Sequence, residues 1–424
     1  MKKINLKDLY EDKGCLSEYD PNSLSYDKAI LYLEQLIQPI KKTKKISIED
    51  AEGYILATDV KSSINVPNYD NSAMDGYVFR HQSLKKNNNK VKLFGKILAG
   101  HPVDSNKTSN VCFKIMTGGM IPKGFDTVIP QELVKIDNDF ICFDFQPKKG
   151  ANIRKTGEDI SKNEVALKKG TYLNPLHIGL LASLGISQIK VFEHLKIGFF
   201  STGDEVVQLG EKIKPGQVYD SNRYLIKSFI HKMNLHFNDY GNLSDNKSKL
   251  EKQLKKASEE NDLIITTGGV SVGEADYMKE VLSNIGKVLF WKMSIKPGRP
   301  MAFGKIKKSF YFGLPGNPVS AAVTFLQFVK PSIKLMMGNS RFEPTPTLEA
   351  KLGQKIIRKK GRTEFIRAHL EKTVKGYHVK PLTQQGSGML KSMSDANCFI
   401  FMAEKEEVLE KNTNVKVILF DGLI

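Results

Sequence analysis

The segment Ile264-Ile265-Thr266-Thr267-Gly268-Gly269-Val270-Ser271-Val272-Gly273-Glu274-Ala275-Asp276-Tyr277 constrains the fold more than any other stretch of the chain. A short apolar, β-branched run passes into a glycine loop and then into a helical pattern, so a strand must turn into a helix with backbone amides exposed between them. A strand at Lys196 to Phe200 precedes it and one at Lys287 to Trp291 follows, with helices expected near 222 to 233, 247 to 258 and 275 to 284. Strands alternating with helices predict an α/β domain with a parallel, doubly wound sheet. Such sheets bind ligands outside the carboxyl ends of their strands, so the loops after these strands are where chemistry is expected.

Four loops carry suitable groups. The glycine loop, with Gly268, Gly269, Ser271 and Gly273, offers amides and a helix start to a phosphate; a plain tight turn is the alternative, and no Gly-Lys-Ser or Gly-Lys-Thr follows to make it a P-loop. Ser201-Thr202-Gly203-Asp204-Glu205 places hydroxyls and carboxylates at a strand end, a set that suits Mg²⁺ together with substrate phosphate; alone, it would also pass for a capped helix start. Lys292-Met293-Ser294-Ile295-Lys296-Pro297-Gly298-Arg299-Pro300 stiffens three cations with prolines, as an oxyanion site requires, although lysines more often form a solvated face. Gly313-Leu314-Pro315-Gly316-Asn317-Pro318-Val319-Ser320 is a second rigid loop that opens a helix. In the first half, Val66 to Tyr77, Met116-Thr117-Gly118-Gly119 and Arg154 to Asp159 each read alone as polar turns. The histidines form no HxH or HExxH pair and no GxSxG elbow occurs, which argues against a zinc hydrolase or a serine esterase.

At 424 residues the chain favours two to four packed units. Residues 1 to 23 are polar and lack sustained periodicity; an amphipathic helix is expected around Ala29 to Ile37. Short β-rich runs separated by Gly, Pro and Asn fill 46 to 159, a helical pattern covers 175 to 189, and glycine-punctuated short strands from 347 to 424 suggest a small β-barrel or sandwich. The N-terminus is charged rather than leader-like, and the apolar run from Ile178 to Ile189 is far shorter than the ~20 residues of a membrane span, so a cytoplasmic protein without a membrane partner is expected. Cys15, Cys112, Cys142 and Cys398 form no CxxC pair and read as ordinary thiols. The net charge of +18 invites a nucleic-acid reading, but only eight of the 64 basic residues are arginine and the lysines are spread along the chain rather than gathered into one arm or helix, so no nucleic-acid partner is expected. A basic field still attracts small anions.

Taken in order, PNYDNSAMDGY, MTGG, RKTGED, STGDE, YDSN, TTGGVSVGEADY, KMSIKPGRP and GLPGNPVS resemble the molybdopterin molybdenumtransferase family of the MoeA type, which is similar also to the gephyrin E domain. The likeness runs from about 24 to 421. It implies an extension at 1 to 23, a discontinuous first domain at 24 to 57 and 160 to 193, a β-rich inserted domain at 58 to 159, an α/β molybdopterin-binding domain at 194 to 335 and a C-terminal β-barrel at 346 to 424. The implied reaction inserts molybdate into adenylylated molybdopterin, with Mg²⁺ as cofactor and AMP released. The resemblance assigns Asp70, Thr117, Asp159, Glu205, Asp245 and Asp276 to the catalytic set, with Glu205 and Asp276 as metal ligands. It assigns substrate binding to Ser201, Thr202, Gly268, Gly269, Ser271, Gly273, Lys292, Lys296, Arg299, Pro315, Pro318 and Ser320, and a molybdate-side pair to Arg367 and Ser387. The family commonly has Lys where this chain has Arg299. It also implies a homodimer, and docking to a molybdopterin adenylyltransferase and to molybdoenzymes.

Two rival readings remain at this level. The related adenylyltransferase shares the α/β fold but typically carries GGTG where this chain has Gly268-Gly269-Val270-Ser271. A gephyrin-like scaffold would keep the fold and lose the activity. The sequence does not separate molybdate from tungstate as the oxyanion.

Overall fold

The computed structural model describes residues 23–86, 89–104, 110–243, 246–270, 276–339, 342 and 346–420. Among them no helix is long and apolar enough to cross a membrane. Two compact units emerge: one comprises Met1–Lys44, Gly53–Ile55 and Val191–Ile424, the other Lys45–Glu52 and Leu56–Lys190.

In the larger unit, β1 (Lys196–Ser201), β2 (His236–Asn242), β3 (Leu263–Thr267), β4 (Gly286–Lys292), β5 (Pro300–Ile306) and β6 (Ser309–Leu314) form one sheet in the order β2-β1-β3-β6-β5-β4. Every residue of β3 is buried, as expected of a central parallel strand covered on both faces. Helices α1 (Ser221–Lys232), α2 (Lys247–Glu260), α3 (Asp276–Ile285) and α4 (Pro318–Thr324) provide the cover. Phe200 and Ile264 join Leu250, Leu254, Val281 and Leu282 in one core cluster, whereas Phe199 on the alternate face lies 6.0 Å beneath the guanidinium of Arg223 on α1.

The sheet departs from the expected all-parallel form. β1, β2, β3 and β6 run parallel, but β5 is antiparallel to both β6 and β4. The β5–β6 connection is a tight turn with Lys307 at φ 49°, too short for the crossover that parallel neighbours need. Because only β5 is reversed, β4 points the same way as β3, so the cationic loop after Lys292 still leaves from the carboxyl edge.

A small barrel follows. β7 (Leu348–Leu352), β8 (Thr363–Thr373), β9 (Gly376–Pro381), β10 (Cys398–Met402) and β11 (Asn414–Leu419) close in the order β8-β9-β7-β11-β10, with β10 returning to β8. Ala350, Ile366, Ala368, Val379, Ile400 and Val417 fill its interior. Outside the closed ring, Ile295–Lys296 adds to the start of β8 in parallel, pairing Lys296 with Glu364.

The other unit is built on a six-stranded sheet in the order Thr127–Pro130, Gly76–Phe79, Val111–Ile115, Lys90–Ile97, Phe140–Cys142 and Lys135–Asp137. Alternate residues feed two cores, Tyr77, Phe79 and Cys112 on one face and Val78, Phe113 and Ile115 on the other. Gly76 has to be glycine, since a Cβ there would stand 2.0 Å from the Ile129 carbonyl oxygen.

A buried ionic network holds the carboxyl rim of the large sheet. Arg223, with a side chain 7% exposed, donates through Nε to Asp220 at 2.8 Å, through Nη1 to Asp239, and through Nη2 to Asn242 at 2.8 Å and Ser201 Oγ at 3.3 Å. Asp220 also caps α1 by accepting from the Arg223 amide at 3.1 Å, and it accepts from the Ser201 hydroxyl. Removing one partner of a buried pair strands the other, at a cost of about 3–5 kcal/mol. Asp220→Ala is therefore expected to move the urea midpoint, followed by circular dichroism, sharply downward; an unchanged midpoint would show that the network does not hold the rim.

Candidate active site

The order β2-β1-β3 reverses the winding direction between β1 and β3, and a ligand crevice is expected at that point. There, Thr202 donates from both its amide and its hydroxyl to the Thr267 carbonyl, each at 3.0 Å. Gly268 and Gly269 follow with φ of +84° and +65°. A Cβ on Gly268 would meet Thr202 Oγ1 at 2.5 Å, so only glycine lets the two loops cross.

From this crossing a chain of contacts runs along the rim. The Gly268 amide donates to Leu314 at the end of β6 at 3.0 Å, and a Cβ on Gly316 would stand 3.6 Å from the Gly268 Cα. Asn222 donates to the Gly316 carbonyl at 2.7 Å, and the Val319 amide donates to the Ser387 carbonyl at 3.0 Å. Pro315 is buried, Pro318 opens α4, and Ser320 lies on its first turn, 4% exposed. The cationic loop closes with a bond from the Met293 amide to the Arg299 carbonyl at 2.6 Å, and its Gly298 leans on α4, where a Cβ would stand 3.5 Å from the Ser320 carbonyl. Lys292 is part-buried, while Lys296 and Arg299 are exposed.

Arg367 is 1% exposed. Its Nη2 donates to the Gln384 and Gly386 carbonyls, each at 3.0 Å, next to Ser387. Its Nε and Nη1 have no partner among the described residues, which leaves donor capacity and positive charge beside the loop. Ser201, by contrast, is 1% exposed and its hydroxyl is engaged by Asp220 and Arg223. Glu205 is exposed, with its carboxylate folded against Gly203, where a Cβ would meet the two oxygens at 2.5 and 2.6 Å. Asp245, Ser271 and Gly273 lie outside the described residues, as does the side chain of Asp276, whose backbone opens α3.

Asp70, Thr117 and Asp159 belong to the other unit. Asn71–Ser72 pairs with Ile153–Arg154, while Ser72 exchanges backbone bonds with Gly118 and Gly119, at 2.8 and 3.0 Å. Gly157 and Asp159 donate from their amides to Pro67 and Val66 at 2.9 and 3.0 Å. Three separate sequence strings are thereby sewn around one short strand. Asp70 accepts from Lys155 Nζ at 2.8 Å and from the Thr156 amide and hydroxyl at 2.8 and 3.0 Å. The Lys155 bond, chiefly, holds its carboxyl below the usual range, with the Thr156 bonds adding to it. Asp159 is exposed.

Two groups in the sites were not singled out from sequence. Asp75 accepts from both the Thr117 amide and hydroxyl at 2.7 Å, which lowers its carboxyl; nearby Lys114 and Lys96 add to the shift. The signal available was Asp75 beside Gly76 in the quoted string. Asp220 and Arg223 lie in or beside YDSN, which marked a likeness without a role.

Residues 24–185 match the MoeA N-terminal region (domain I and II), 198–335 a probable molybdopterin binding domain, and 349–420 the MoeA C-terminal region (domain IV). The chain is 41% identical to a molybdopterin molybdenumtransferase of Haemophilus influenzae over 394 residues, covering 92% of this chain and 97% of that protein. It is 31% identical to gephyrin of Dictyostelium discoideum, covering 94% of this chain and 62% of that protein. The structure of a molybdopterin biosynthesis MoeA protein from Pyrococcus horikoshii superposes with a TM-score of 0.81 at 30% identity, covering 94% of this chain and all of that one.

A depressed carboxyl contributes order that is complete above its ordinary pKa of about 4 and is lost only as pH falls through the lower folded value. Protection of the Thr156 amide, its exchange rate set against the intrinsic rate at the same pH, should therefore hold from neutral pH down to about 4 and fall below it. In Asp70→Asn the Thr156 amide should exchange faster at neutral pH; equal rates in the two proteins would refute the tie.

Proposed function

The chain belongs to the molybdopterin molybdenumtransferase family, and from that membership we propose that it is a molybdenum insertase that loads molybdate onto adenylylated molybdopterin and releases AMP. The observation that carries this reading is the series of contacts that joins Thr202 to Gly268, Gly268 to Gly316 and Val319 to Ser387, which sets backbone amides and hydroxyls along one rim, with the cationic loop leaning on α4 through Gly298. Such a rim suits a substrate with several anionic groups, because preorganised donors in a partly dry site stabilise developing charge without reorganising.

In this reading Thr202, Gly268, Gly269, Ser271, Gly273, Pro315, Pro318 and Ser320 hold the pterin and its phosphates, with Ser201 acting through the rim it braces. Lys292, Lys296 and Arg299 orient the oxyanion, and Arg367 with Ser387 completes its binding. The family likeness gives polar catalytic roles to Asp70, Thr117 and Asp159 on one unit and to Glu205, Asp245 and Asp276 on the other. Glu205 fits a magnesium ligand: its carboxylate is exposed and makes no hydrogen bond among the described residues, and Mg²⁺ asks for only one or two carboxylates beside substrate phosphate. Glu205 and Asp276 would hold Mg²⁺, which when bound offsets the charge of the phosphoanhydride.

The helix Pro175–Ser183 supports a homodimer. It is apolar around its circumference, yet Leu181 is its only buried residue and Leu176 is 82% exposed. Buried, unpaired Cys112 and Cys398 agree with a reducing cytoplasmic setting. Docking to an adenylyltransferase and to molybdoenzymes, and the five-part domain division, belong to the same proposal.

Purified protein given adenylylated molybdopterin, Mg²⁺ and molybdate should release AMP and reconstitute a cofactor-free molybdoenzyme, both in proportion to molybdate. Consumption of ATP to adenylylate molybdopterin would instead favour the adenylyltransferase, and neither activity the scaffold. Glu205→Ala and Asp276→Ala should each abolish insertion while leaving the thermal midpoint unchanged, and wild-type turnover in either would overturn the assignment. Leu176→Glu should shift the protein from dimer to monomer in sedimentation velocity.

A further inference from the structure

Between the cationic loop and the C-terminal barrel lies a cleft of about 410 Å³, lined by Lys296, Pro297, Lys355, Arg358, Glu364 and Gln385 among others. It has room for an oxyanion with several waters, each of which takes about 30 Å³. Lys355 has its own partner in Glu410 at 2.6 Å, so the charges left facing one another are Lys296, Arg358 and Glu364.

Their contacts are loose. Lys296 Nζ stands 3.4 and 3.5 Å from the two Glu364 oxygens, and Arg358 Nη1 stands 3.8 Å from one of them. A committed ammonium–carboxylate bond is shorter, about 2.7–2.9 Å. The Glu364 side chain is only 10% exposed, and the ladder that pairs Lys296 with Glu364 keeps the two from drifting apart. The Arg358 side chain is 4% exposed, donates to the carbonyls of Arg362 and Ala403, and has an Nε without a partner among the described residues. One carboxylate is thus shared between two cations and tight with neither, although a buried ion pair offsets its desolvation only with close geometry.

We propose that Glu364 is a resident counter-ion, which keeps Lys296 and Arg358 in place and is displaced from them by an incoming tetrahedral dianion. This rests on the reading of Lys296 as an oxyanion residue. A dianion gains roughly twice the attraction of a carboxylate to the same two cations, so it can exchange for Glu364 where a monoanion cannot. Glu364 on this view sets the charge threshold for entry to the cleft.

Glu364→Gln keeps the shape and one acceptor but removes the competitor. Molybdate binding by titration calorimetry should tighten by about tenfold, the scale of one competing short-range charge, and nitrate should begin to compete. The thermal midpoint of the variant should fall without anion and be restored by molybdate more strongly than in the wild type. A folded Glu364→Gln protein that binds molybdate no better than wild type overturns the proposal. If that variant does not fold, Arg358→Gln decides: weaker molybdate binding supports the shared site and unchanged binding refutes it. Wild-type protein whose molybdate binding is absent, or indifferent to Lys296→Ala, would sink the underlying reading of Lys296 instead.

Discussion

A guanidinium buried beneath the sheet rim ties together chain segments that would otherwise be independent loops. Arg223 reaches Asp220 at the start of its own helix, Asp239 and Asn242 on β2, and Ser201 at the end of β1. With these ends fixed, Thr202 can bridge to β3, and Asn222 can reach across to Gly316. The rim is therefore organised from below by charge and from above by glycine. Neither element would suffice alone, because an unpaired Arg223 would be costly and a side chain at Gly268 would collide with Thr202.

The strongest periodic signals were legible in the sequence. β3, the three helices around it and the strand near Lys287 lie within a few residues of where alternation placed them, because buried β-branched runs and amphipathic helices have few alternatives. The hairpin of β5 and β6 was not legible. Pro300 to Ile306 is a short apolar run broken by Gly304 and Lys305, and a run of that length does not by its period separate a strand from a buried turn of helix. Strand direction depends on which neighbours pair, and no local pattern states that.

The candidate site divides in the same way. Glycines and cations announced themselves because their backbone freedom and charge are local properties. Asp75 did not, since its role arises only when Thr117, distant in sequence, folds beside it. Ser201 shows the reverse: it stood in a promising string, yet the fold turns its hydroxyl inward to brace Asp220. Arg367 was singled out through likeness alone; in the fold its guanidinium is buried, with Nη2 paired and Nε and Nη1 without a partner among the described residues.

The barrel has one further consequence. Its ring closes on itself, so among its described strands the early part of β8 is where the backbone reaches outward, and it does so by taking Ile295–Lys296 as an added strand. This makes the barrel a lever. A tilt of its body pulls on the segment that carries the Lys296 ammonium through two residues of ladder, the bond from the Thr363 amide to the Ser294 carbonyl at 2.8 Å and the Lys296–Glu364 pair. A displacement of the barrel would then be felt at the rim as displacement of a single positive charge.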